Sequence, residues 1–490
     1  MTKFTALGVV GAGPMGAGIA QIGLTAGLSV VLFDISGDAL AKAASDIEAR
    51  IARLVEKNQL PAGAAEDARA RLILATDLSS LAACEVVIEA IVERLEPKQR
   101  LFADLEKIVG PQAVLATNTS SLSVAAIASA CTDKSRVCGL HFFNPVPLMK
   151  LVEVVVAPST SPETATRATT LSKLVGKTPV TVKDGPGFLV NLQGRAYTLE
   201  ALAIAQEGVA DLAVIDRILR DGAGFRMGPF ELMDLTGMDV NFAASTYIYQ
   251  GYQHDPRLKT TTLHELMANA GRFGRKTGQG FFDYREGAPR PVLPTPPSSA
   301  PNIRPHILDT GPHWDALAEA TKLQSGGDVV LIAPVGLDCA TVCNRLNLDP
   351  KRTVAIDFTA LPSRHLTVMA ALGGGPAAAE VADWLRWHGF AVEVIADSPG
   401  FVLQRVLAMV ANLGCELAQI GVGSPHDIDL AMKLAQNYPK GPFEWAEWLG
   451  VAKTHEIMSQ LQAVTGSDRY RPSLWLRRRA LLNLSVYETA

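Results

Sequence analysis

The feature that most constrains the fold is a glycine-rich run near the start of the chain, GAGPMGAG at 11–18. An apolar, β-rich run precedes it at 5–10, and a second one, SVVLFD, follows at 29–34. The residues between the glycines and the second run are small and have helical spacing. This part of the sequence therefore predicts strand, tight turn, helix and strand, with the two strands parallel in one sheet.

The spacing of the glycines also predicts what the turn binds. It fits G-x-G-x-x-G, in which the first glycine permits a tight turn, the second lets the backbone approach a pyrophosphate, and the third lets the helix pack on the strand. Asp34 ends the next strand and can accept hydrogen bonds from a ribose, whereas its charge would repel a 2′-phosphate. We therefore predict NAD rather than NADP as the cofactor. The predicted contacts in this unit are Gly11, Gly13, Pro14, Met15, Gly16 and Asp34.

Further β-rich runs end in polar residues, with helical segments between them. They are CEVVIEAIVE (84–93), AVLATNTSS (113–121) and RVCGLHFF (136–143). This alternation predicts a parallel sheet covered on both faces, with ligands beyond the carboxyl ends of its strands. The polar residues at those ends are Asp34, Glu89, Glu93, Asn118, Ser120 and His141.

The rest of the chain changes character more than once. Helical spacing dominates from about residue 185, a proline-rich stretch follows 285, and β-rich runs return from 328. The proline-rich composition predicts a semi-rigid linker without a core. The predicted organisation is a Rossmann-type α/β NAD-binding domain at 1–184, an all-α domain at 185–285, a linker at 286–326, a degenerate α/β segment at 327–396 and a second all-α domain at 397–490.

An internal repeat links the two predicted all-α domains. Asp184, Pro186, Gly187 and Phe188 recur 213 residues later as Asp397, Pro399, Gly400 and Phe401, since 397 − 184 = 213. The same offset relates GPFE at 228–231 to GPFE at 441–444. We therefore predict a duplicated helical domain that packs on the first as an internal pseudo-dimer, while dimers of the whole chain stay open. The second copy has no G-x-G-x-x-G in 327–397, and Gln404 replaces Asn191, so we predict one active site per chain.

Composition and charge exclude several classes of protein. The chain of 490 residues is 48% hydrophobic and 19% charged, with a formal net charge of −4, so nothing steers it toward nucleic acid or an anionic membrane. Its six cysteines form no CxxC pair, which predicts reduced, mostly buried thiols and no metal site. Without a signal pattern or an apolar run near ~20 residues, we expect a soluble cytoplasmic protein.

His141 and Glu153 each stand in an apolar, strand-like part of the stretch GLHFFNPVPLMKLVEV at 139–154. Taken alone, the stretch fits a histidine satisfied within the core. The position of His141 at the end of a nucleotide-fold strand favours a general base instead, since imidazole titrates near neutral pH. Glu153 lies on the next strand-like segment and could orient the imidazole, and a lone carboxylate there is costly unless paired. One pairing would explain both residues.

Two further polar residues are candidates for substrate binding. Ser120 is either a helix N-cap ahead of LSVAAIASA or a hydroxyl that bonds a substrate oxygen, and both roles are compatible. Asn191 follows the PGF turn and is either a polar residue of a first helical turn or a group that faces the cleft between the first two domains.

Together these motifs resemble the L-3-hydroxyacyl-CoA dehydrogenase family, and the layout of the whole chain resembles its long bacterial form, which includes 3-hydroxybutyryl-CoA and 3-hydroxyadipyl-CoA dehydrogenases. The resemblance covers about residues 5–285. The segments that carry it are GAGPMGAGIAQ, EAIVE (89–93), NTSSL (118–122), LHFFNPVPLMKLVEV (140–154), DGPGF-VN (184–191), GPFELMD (228–234) and GRKTGQGFFDY (274–284). Leu192 departs from the family, which usually has arginine there.

The resemblance implies a role for each matching residue. His141 would be the catalytic base and Glu153 its partner, with Ser120 and Asn191 holding the substrate. The implied NAD contacts outside the glycine turn are Glu93, Lys98, Asn118, Ser120, Asn144 and Lys276. Lys57 and Arg50 would contact coenzyme A.

The predicted reaction is NAD-dependent oxidation of a (3S)-3-hydroxyacyl-CoA to the 3-oxoacyl-CoA, in fatty-acid β-oxidation, butanoate metabolism or phenylacetate degradation. Two alternatives stay open. One is a dehydrogenase of a non-CoA alcohol such as carnitine, and the other is a non-catalytic NAD-binding scaffold of the same family. Acyl-chain length and the presence of a terminal carboxylate are not predicted.

Overall fold

The computed structural model describes residues 4–289, 292–308, 312–321 and 326–489. The chain divides into two compact units. The first comprises Met1–Val190 and Gly421–Gln436, and the second comprises Asn191–Ile420 and Asn437–Ala490. A short segment from late in the chain therefore belongs to the first unit.

The described part of the first unit contains an eight-stranded sheet. Its strands are β1 (Ala6–Val10), β2 (Ser29–Phe33), β3 (Leu72–Ala75), β4 (Val86–Glu89), β5 (Val114–Thr117), β6 (Val137–Phe142), β7 (Leu151–Val156) and β8 (Thr178–Lys183). Their order is β3-β2-β1-β4-β5-β6-β7-β8. Because the chain passes from β1 to opposite sides of the sheet, a crevice opens at the carboxyl ends of β1 and β4, where such sheets bind ligands.

One pair of neighbouring strands in this sheet is not parallel. β6 and β7 are antiparallel, whereas the other neighbouring pairs described in this sheet are parallel. The connection between them, residues 143–150, is too short for a crossover helix, so the chain must turn back. The strands predicted to form a parallel sheet, β1, β2, β4, β5 and β6, are parallel, and no direction was predicted for β7.

Helices cover the sheet. Those of the N-terminal part are α1 (Pro14–Thr25), α2 (Gly37–Glu56), α3 (Ala64–Arg71), α4 (Leu95–Ile108), α5 (Val124–Ala128), α6 (Pro162–Leu174) and α7 (Val190–Gln193). Small residues let α1 approach the sheet closely, since a Cβ at Gly23 would lie 2.8 Å from the Leu7 side chain. The apolar side chains of Leu7, Val9, Ile19 and Leu32 are buried in the core beneath it.

The second unit contains helices from both halves of the chain. Before and between its strands lie α8 (Arg195–Gln206), α9 (Leu212–Arg217), α10 (Pro229–Thr236), α11 (Met238–Gly251), α12 (Thr262–Asn269), α13 (Pro312–Thr321), α14 (Cys339–Leu346) and α15 (Gly375–Trp387). After α16 (Leu403–Gln419) the chain forms α17 (Pro425–Gln436), which belongs to the first unit. The chain then returns with α18 (Pro442–Leu449), α19 (Val451–Thr465) and α20 (Leu474–Leu482).

A five-stranded sheet lies in the described part of the second unit. Its strands are β9 (Pro305–Ile307), β10 (Val329–Ile332), β11 (Thr353–Asp357), β12 (His365–Met369) and β13 (Ala391–Val394), in the order β13-β12-β11-β10-β9. Only β11 and β12 pair antiparallel among these strands. The order and directions are those of β8-β7-β6-β5-β4 in the first sheet, without counterparts of β1, β2 and β3 among the described residues.

The predicted linker at 286–326 differs from the structure. Strand β9 joins the second sheet, and α13 contributes Trp314 and Leu317 to the core beneath that sheet. The second α/β segment therefore begins before residue 327, because a few apolar residues after the prolines suffice to form a strand and a helix. Residues 290–291, 309–311 and 322–325 of the predicted linker lie outside the described residues.

Among the described residues, no helix has the length and apolar character that crossing a membrane requires. All six cysteines are buried and free of disulfide bonds, as predicted.

Candidate active site

The glycine turn after β1 has one open position between two crowded ones. Gly11 has φ +107°, and a Cβ there would lie 2.6 Å from the Ala90 carbonyl oxygen. A Cβ at Gly16 would lie 1.8 Å from the Gly11 carbonyl oxygen, whereas one at Gly13 would meet open space. Helix α1 begins at Pro14, directly after this open position. The turn is therefore built so that a phosphate can approach the backbone at Gly13 and the start of α1.

Asp34 lies beside this turn and is fixed by the backbone. Its Oδ2 accepts a hydrogen bond from the Ala12 N–H at 2.8 Å, and its Oδ1 accepts one from the Ser36 N–H at 2.9 Å. Carboxylate oxygens have further lone pairs, so Asp34 can still accept bonds from ribose hydroxyls. The next residue, Ile35, is apolar and 89% exposed. These residues fit NAD.

His141 and Glu153 are paired directly across β6 and β7. They are opposite each other in the antiparallel register, and His141 Nδ1 lies 2.5 Å from Glu153 Oε2. His141 is 5% exposed and Glu153 is fully buried. Because the carboxylate accepts, we assign the proton to Nδ1, which leaves Nε2 with a lone pair. The structure thus brings the two predicted residues into the geometry of a base and its orienting partner.

The second oxygen of Glu153 is held by backbone amides. Its Oε1 accepts hydrogen bonds from the N–H groups of Leu189 at 3.0 Å and Val190 at 2.9 Å. These amides follow the PGF turn, where Gly187 and Phe188 both have positive φ, +77° and +47°. The turn aims two donors at the carboxylate, which stabilises its charged form and fixes its orientation toward the imidazole.

Aromatic rings flank the imidazole. The ring of Phe143 lies 4.5 Å from that of His141, and the ring of Phe188 lies 5.7 Å away. The imidazole therefore stands between apolar faces, which limits its rotation and strengthens its interaction with Glu153.

Glu93 holds the loop that carries Ser120. Its Oε1 accepts hydrogen bonds from the Thr119 hydroxyl at 2.6 Å, the Ser120 N–H at 3.0 Å, and the N–H and hydroxyl of Ser121. Burial raises the pKa of Glu93, but the hydrogen bond from Thr119 and the charge of Lys98 outweigh this, so the pKa lies below its usual value. Glu93 is therefore a charged anchor for the Ser120 backbone.

Lys98 is buried between two carboxylates. Its side chain is 1% exposed, and its Nζ lies 2.6 Å from Glu89 and 3.1 Å from Glu93. Glu89 also accepts a hydrogen bond from the Thr117 hydroxyl at 2.7 Å. The predicted contact of Lys98 with NAD stays a prediction, and the structure shows a network through which Lys98 acts on Glu93.

Other predicted residues lie at the same strand ends. Asn118 Oδ1 accepts a hydrogen bond from the Phe142 N–H at 2.9 Å, which ties β5 to the strand of His141. Asn144 is exposed and lies two residues beyond the end of β6. Arg50 lies on α2 and Lys57 caps its carboxyl end, about two helical turns further on.

Two predicted site residues belong to the second unit. Asn191 lies in α7, where its carbonyl oxygen accepts a hydrogen bond from Arg195. Lys276 forms an ion pair with Asp239 at 2.5 Å. Their roles in binding substrate and NAD stay predictions.

Two residues that support the site were missed as functional from the sequence. Asp184 accepts hydrogen bonds from the Ser123 hydroxyl and the N–H groups of Val124 and Ala125, so it fixes the start of α5 just after Ser120. Its recurrence in the internal repeat was the available signal. Lys177 is buried and donates to the Val146 and Met149 carbonyls, and no local pattern marks it.

The second sheet has different side chains at the positions that correspond to His141 and Glu153 of the first sheet. Glu393 is 213 residues after Val180, and it pairs with Thr367 as Val180 pairs with Glu153. Thr367 in turn pairs with Asp357, as Glu153 pairs with His141. The second sheet therefore places Asp357 and Thr367 where the first has the histidine and the glutamate.

A dinucleotide turn and a proton acceptor at the same edge of one sheet are what a nicotinamide-dependent oxidoreductase requires. Fold and site assign the chain to this class.

Comparison with known proteins gives the family. The family described as 3-hydroxyacyl-CoA dehydrogenase, NAD binding domain, matches residues 6–185. The family described as 3-hydroxyacyl-CoA dehydrogenase, C-terminal domain, matches residues 187–284 and 400–485. The chain belongs to the 3-hydroxyacyl-CoA dehydrogenase family and is an NAD-dependent oxidoreductase.

Similar proteins cover the whole chain or its first part. A 3-hydroxyadipyl-CoA dehydrogenase of Escherichia coli is 40% identical over 490 residues, which is all of both chains. The crystal structure of an E. coli 3-hydroxybutyryl-CoA dehydrogenase has a TM-score of 0.89 and 38% identity, covering 99% of this chain and 100% of that one. The human mitochondrial hydroxyacyl-coenzyme A dehydrogenase is 40% identical over 56% of this chain and 90% of its own.

Proposed function

We propose that the chain oxidises (3S)-3-hydroxyacyl-CoA thioesters to 3-oxoacyl-CoA with NAD, and that His141 is the base. The observation that carries the proposal is the buried pair of His141 and Glu153 at the carboxyl end of β6. The full-length relatives, a 3-hydroxyadipyl-CoA dehydrogenase and a 3-hydroxybutyryl-CoA dehydrogenase, support the substrate class.

The proton moves through the imidazole. His141 Nε2 takes the proton of the C3 hydroxyl, while Nδ1 keeps its own proton and donates it in the hydrogen bond to Glu153. The imidazolium that forms is stabilised by the Glu153 carboxylate, whose other oxygen stays bonded to the Leu189 and Val190 amides. Because these amides hold the carboxylate before the reaction begins, little reorganisation is needed when the charge develops.

Bound NAD would supply the hydride acceptor. The residues that would hold it are the glycine turn, where Gly13 leaves room for a pyrophosphate, and Asp34, whose oxygens would accept hydrogen bonds from the ribose hydroxyls. Ser120 and Asn191 would hold the hydroxyl and thioester oxygens of the substrate. Glu93 supports this role of Ser120, because it fixes the Ser120 backbone. Arg50 and Lys57 would meet the phosphates of coenzyme A.

We further propose that the second half is a degenerate duplicate and that each chain has one active site. Three observations support this. The family C-terminal domain matches twice. The turns at the repeat have nearly the same backbone angles, with φ +77° and +72° at Gly187 and Gly400, and +47° and +52° at Phe188 and Phe401. The second sheet has Asp357 where the first has His141. The two helical copies would pack as an internal pseudo-dimer.

We propose a metabolic pathway from the family of the chain and a cytoplasmic location from its cysteines. The family supports a place in fatty-acid β-oxidation, butanoate metabolism or phenylacetate degradation. Six free, buried cysteines suit the reducing cytoplasm.

The test is NADH oxidation by the purified chain with acetoacetyl-CoA and with free acetoacetate. We expect turnover only with the thioester, and a strong preference for NADH over NADPH. Equal rates with the free acid would favour a dehydrogenase of a non-CoA alcohol. Absence of turnover at high enzyme concentration would favour a scaffold role. A panel of 3-hydroxyacyl-CoA substrates of graded length, with and without a terminal carboxylate, then defines the acyl specificity.

A further inference from the structure

We propose that the segment Gly421–Gln436 positions the His141–Glu153 pair, so that the second helical region completes the active site of the first half. This inference rests on the proposed function. The segment belongs to the first compact unit although it comes from late in the chain. It comprises a short lead-in, 421–424, and helix α17, and we call it the buttress segment.

The buttress segment holds the turn that orients Glu153 at both ends. Before the turn, the Lys183 N–H donates to the Val422 carbonyl at 2.9 Å. After the turn, Gln436 Nε2 donates to the Val190 carbonyl at 3.3 Å. The Val190 N–H donates to Glu153. Val190 is therefore fixed on one side by the catalytic carboxylate and on the other by the buttress segment.

Apolar packing joins the same elements between these two hydrogen bonds. A Cβ at Gly423 would lie 3.5 Å from the Ile428 side chain and 3.7 Å from that of Leu189. Ile428 and Leu189 are both fully buried. Since the Leu189 N–H is the other donor to Glu153, the buttress segment supports both residues that hold the carboxylate.

Comparison of the two copies separates a general packing role from a role at the active site. The backbone bond recurs, because the Ala396 N–H donates to the Val209 carbonyl at 2.8 Å, and both residues are 213 positions from Lys183 and Val422. The side-chain bond does not recur, because the residue 213 positions before Gln436 is Ala223. The hydrogen bond from Gln436 therefore exists in the half that has His141 and Glu153. The half that has Asp357 and Thr367 at the corresponding positions lacks a residue that could form it.

The effect on the reaction follows from geometry. When Gln436 lacks its donor, the Val190 carbonyl loses the hydrogen bond from the buttress segment. The N–H groups of Leu189 and Val190 are then positioned less firmly. Glu153 then orients the imidazole less well, and small misplacements of a catalytic group reduce turnover strongly. The glycine turn and Asp34 are not part of this chain of contacts, so binding of NAD should not change.

The experiment replaces Gln436 with methionine in the full chain, which keeps the length of the side chain and removes the donor. The matched control is Gln462→Met. Gln462 is also half-buried in the second helical region and also donates one hydrogen bond of 3.3 Å, to Asp468. We measure kcat with acetoacetyl-CoA, KM for NADH, the melting temperature, and amide hydrogen exchange of Leu189 and Val190.

We expect kcat of Gln436→Met to fall at least about fivefold, with KM for NADH within about twofold, faster exchange at Leu189 and Val190, and a melting temperature like that of the control. Unchanged kcat and exchange would overturn the proposal, as would equal losses in both variants. If the wild-type chain shows no turnover, the proposed function fails. The exchange rates then still decide whether Gln436 supports the turn.

Discussion

At the scale of single residues, the His141–Glu153 pair could be predicted because each is a polar intrusion in an apolar stretch and burial requires partners. What the sequence did not predict is the support behind them. The Leu189 and Val190 amides are main-chain donors, which every residue has, so no residue type marks them. Lys177 was missed for another reason, because its partners are carbonyl groups of a distant loop.

The same geometry predicts the effect of removing only the charge of Glu153. In Glu153→Gln the side chain keeps its shape, but one of its two oxygens becomes an NH₂ group. Either this NH₂ group donates to His141 Nδ1, or it faces the Leu189 and Val190 N–H groups and their hydrogen bonds are lost. Donation to Nδ1 moves the imidazole proton to Nε2, where the base must accept. We expect kcat to fall by about 10²–10⁴ with the fold intact, as checked by steady-state kinetics and circular dichroism. Turnover near that of the wild type would show that the carboxylate does not orient the base.

At the scale of elements, the strands of the nucleotide-binding half were predicted by runs of β-rich residues, and the structure confirms the Rossmann-type fold. No direction was predicted for strand β7, and the short connection after β6 explains why it is antiparallel. Strand β9 and helix α13 were not predicted because the segment around them is rich in proline. Local composition predicts that such a segment is stiff, whereas the formation of β9 depends on pairing with β10, later in the chain.

Helix α12 contains a buried histidine that makes stability depend on pH. His264 is 1% exposed, and burial followed by the charge of Arg195 lowers its pKa from 6.5 to about 4. The unfolded chain binds a proton near pH 6.5 and the folded chain only near pH 4, so the unfolded state holds more protons in that window. Stability contributed by the neutral imidazole is therefore present above pH 6.5 and is lost as the pH falls toward 4.

We expect His264→Leu to reduce this loss. One proton accounts for about 1.4 kcal/mol per pH unit, so the free energy of unfolding of the wild type should fall more steeply than that of the variant between pH 6.5 and 4. Urea unfolding midpoints at several pH values measure it. Parallel curves for the two proteins across this window would rule out His264 as the group responsible.

At the scale of the whole molecule, one buried ion pair joins helix α16 to helix α8. Arg405 Nε lies 2.6 Å from Glu200, and its other nitrogens bond Glu207 and the Tyr470 hydroxyl. Arg405 is 213 residues after Leu192, the position where the sequence departs from its family. The residues 213 positions after the two glutamates are Leu413 and Ile420. The ion pair therefore runs only from α16 to α8, because the positions related to it by the 213-residue offset carry no charged side chains.

Removing this arginine should destabilise the second unit strongly. In Arg405→Leu the fully buried Glu200 loses one of its two arginine partners, and breaking a buried pair on one side costs about 3–5 kcal/mol. The control is Arg352→Leu, whose ion pair with Asp328 is at the surface and should contribute less than about 1 kcal/mol. Chemical denaturation of both variants measures the difference. Equal, small effects would show that the ion pair between α16 and α8 does not stabilise the second unit.

The most direct test of the central claim is the turnover of His141→Ala with acetoacetyl-CoA, measured together with the dissociation constant of NADH. We predict that kcat falls by about 10²–10⁴ while NADH binding changes by less than about twofold, since the nucleotide turn and Asp34 are untouched. Turnover close to that of the wild type would show that another group takes the proton and that His141 is not the base.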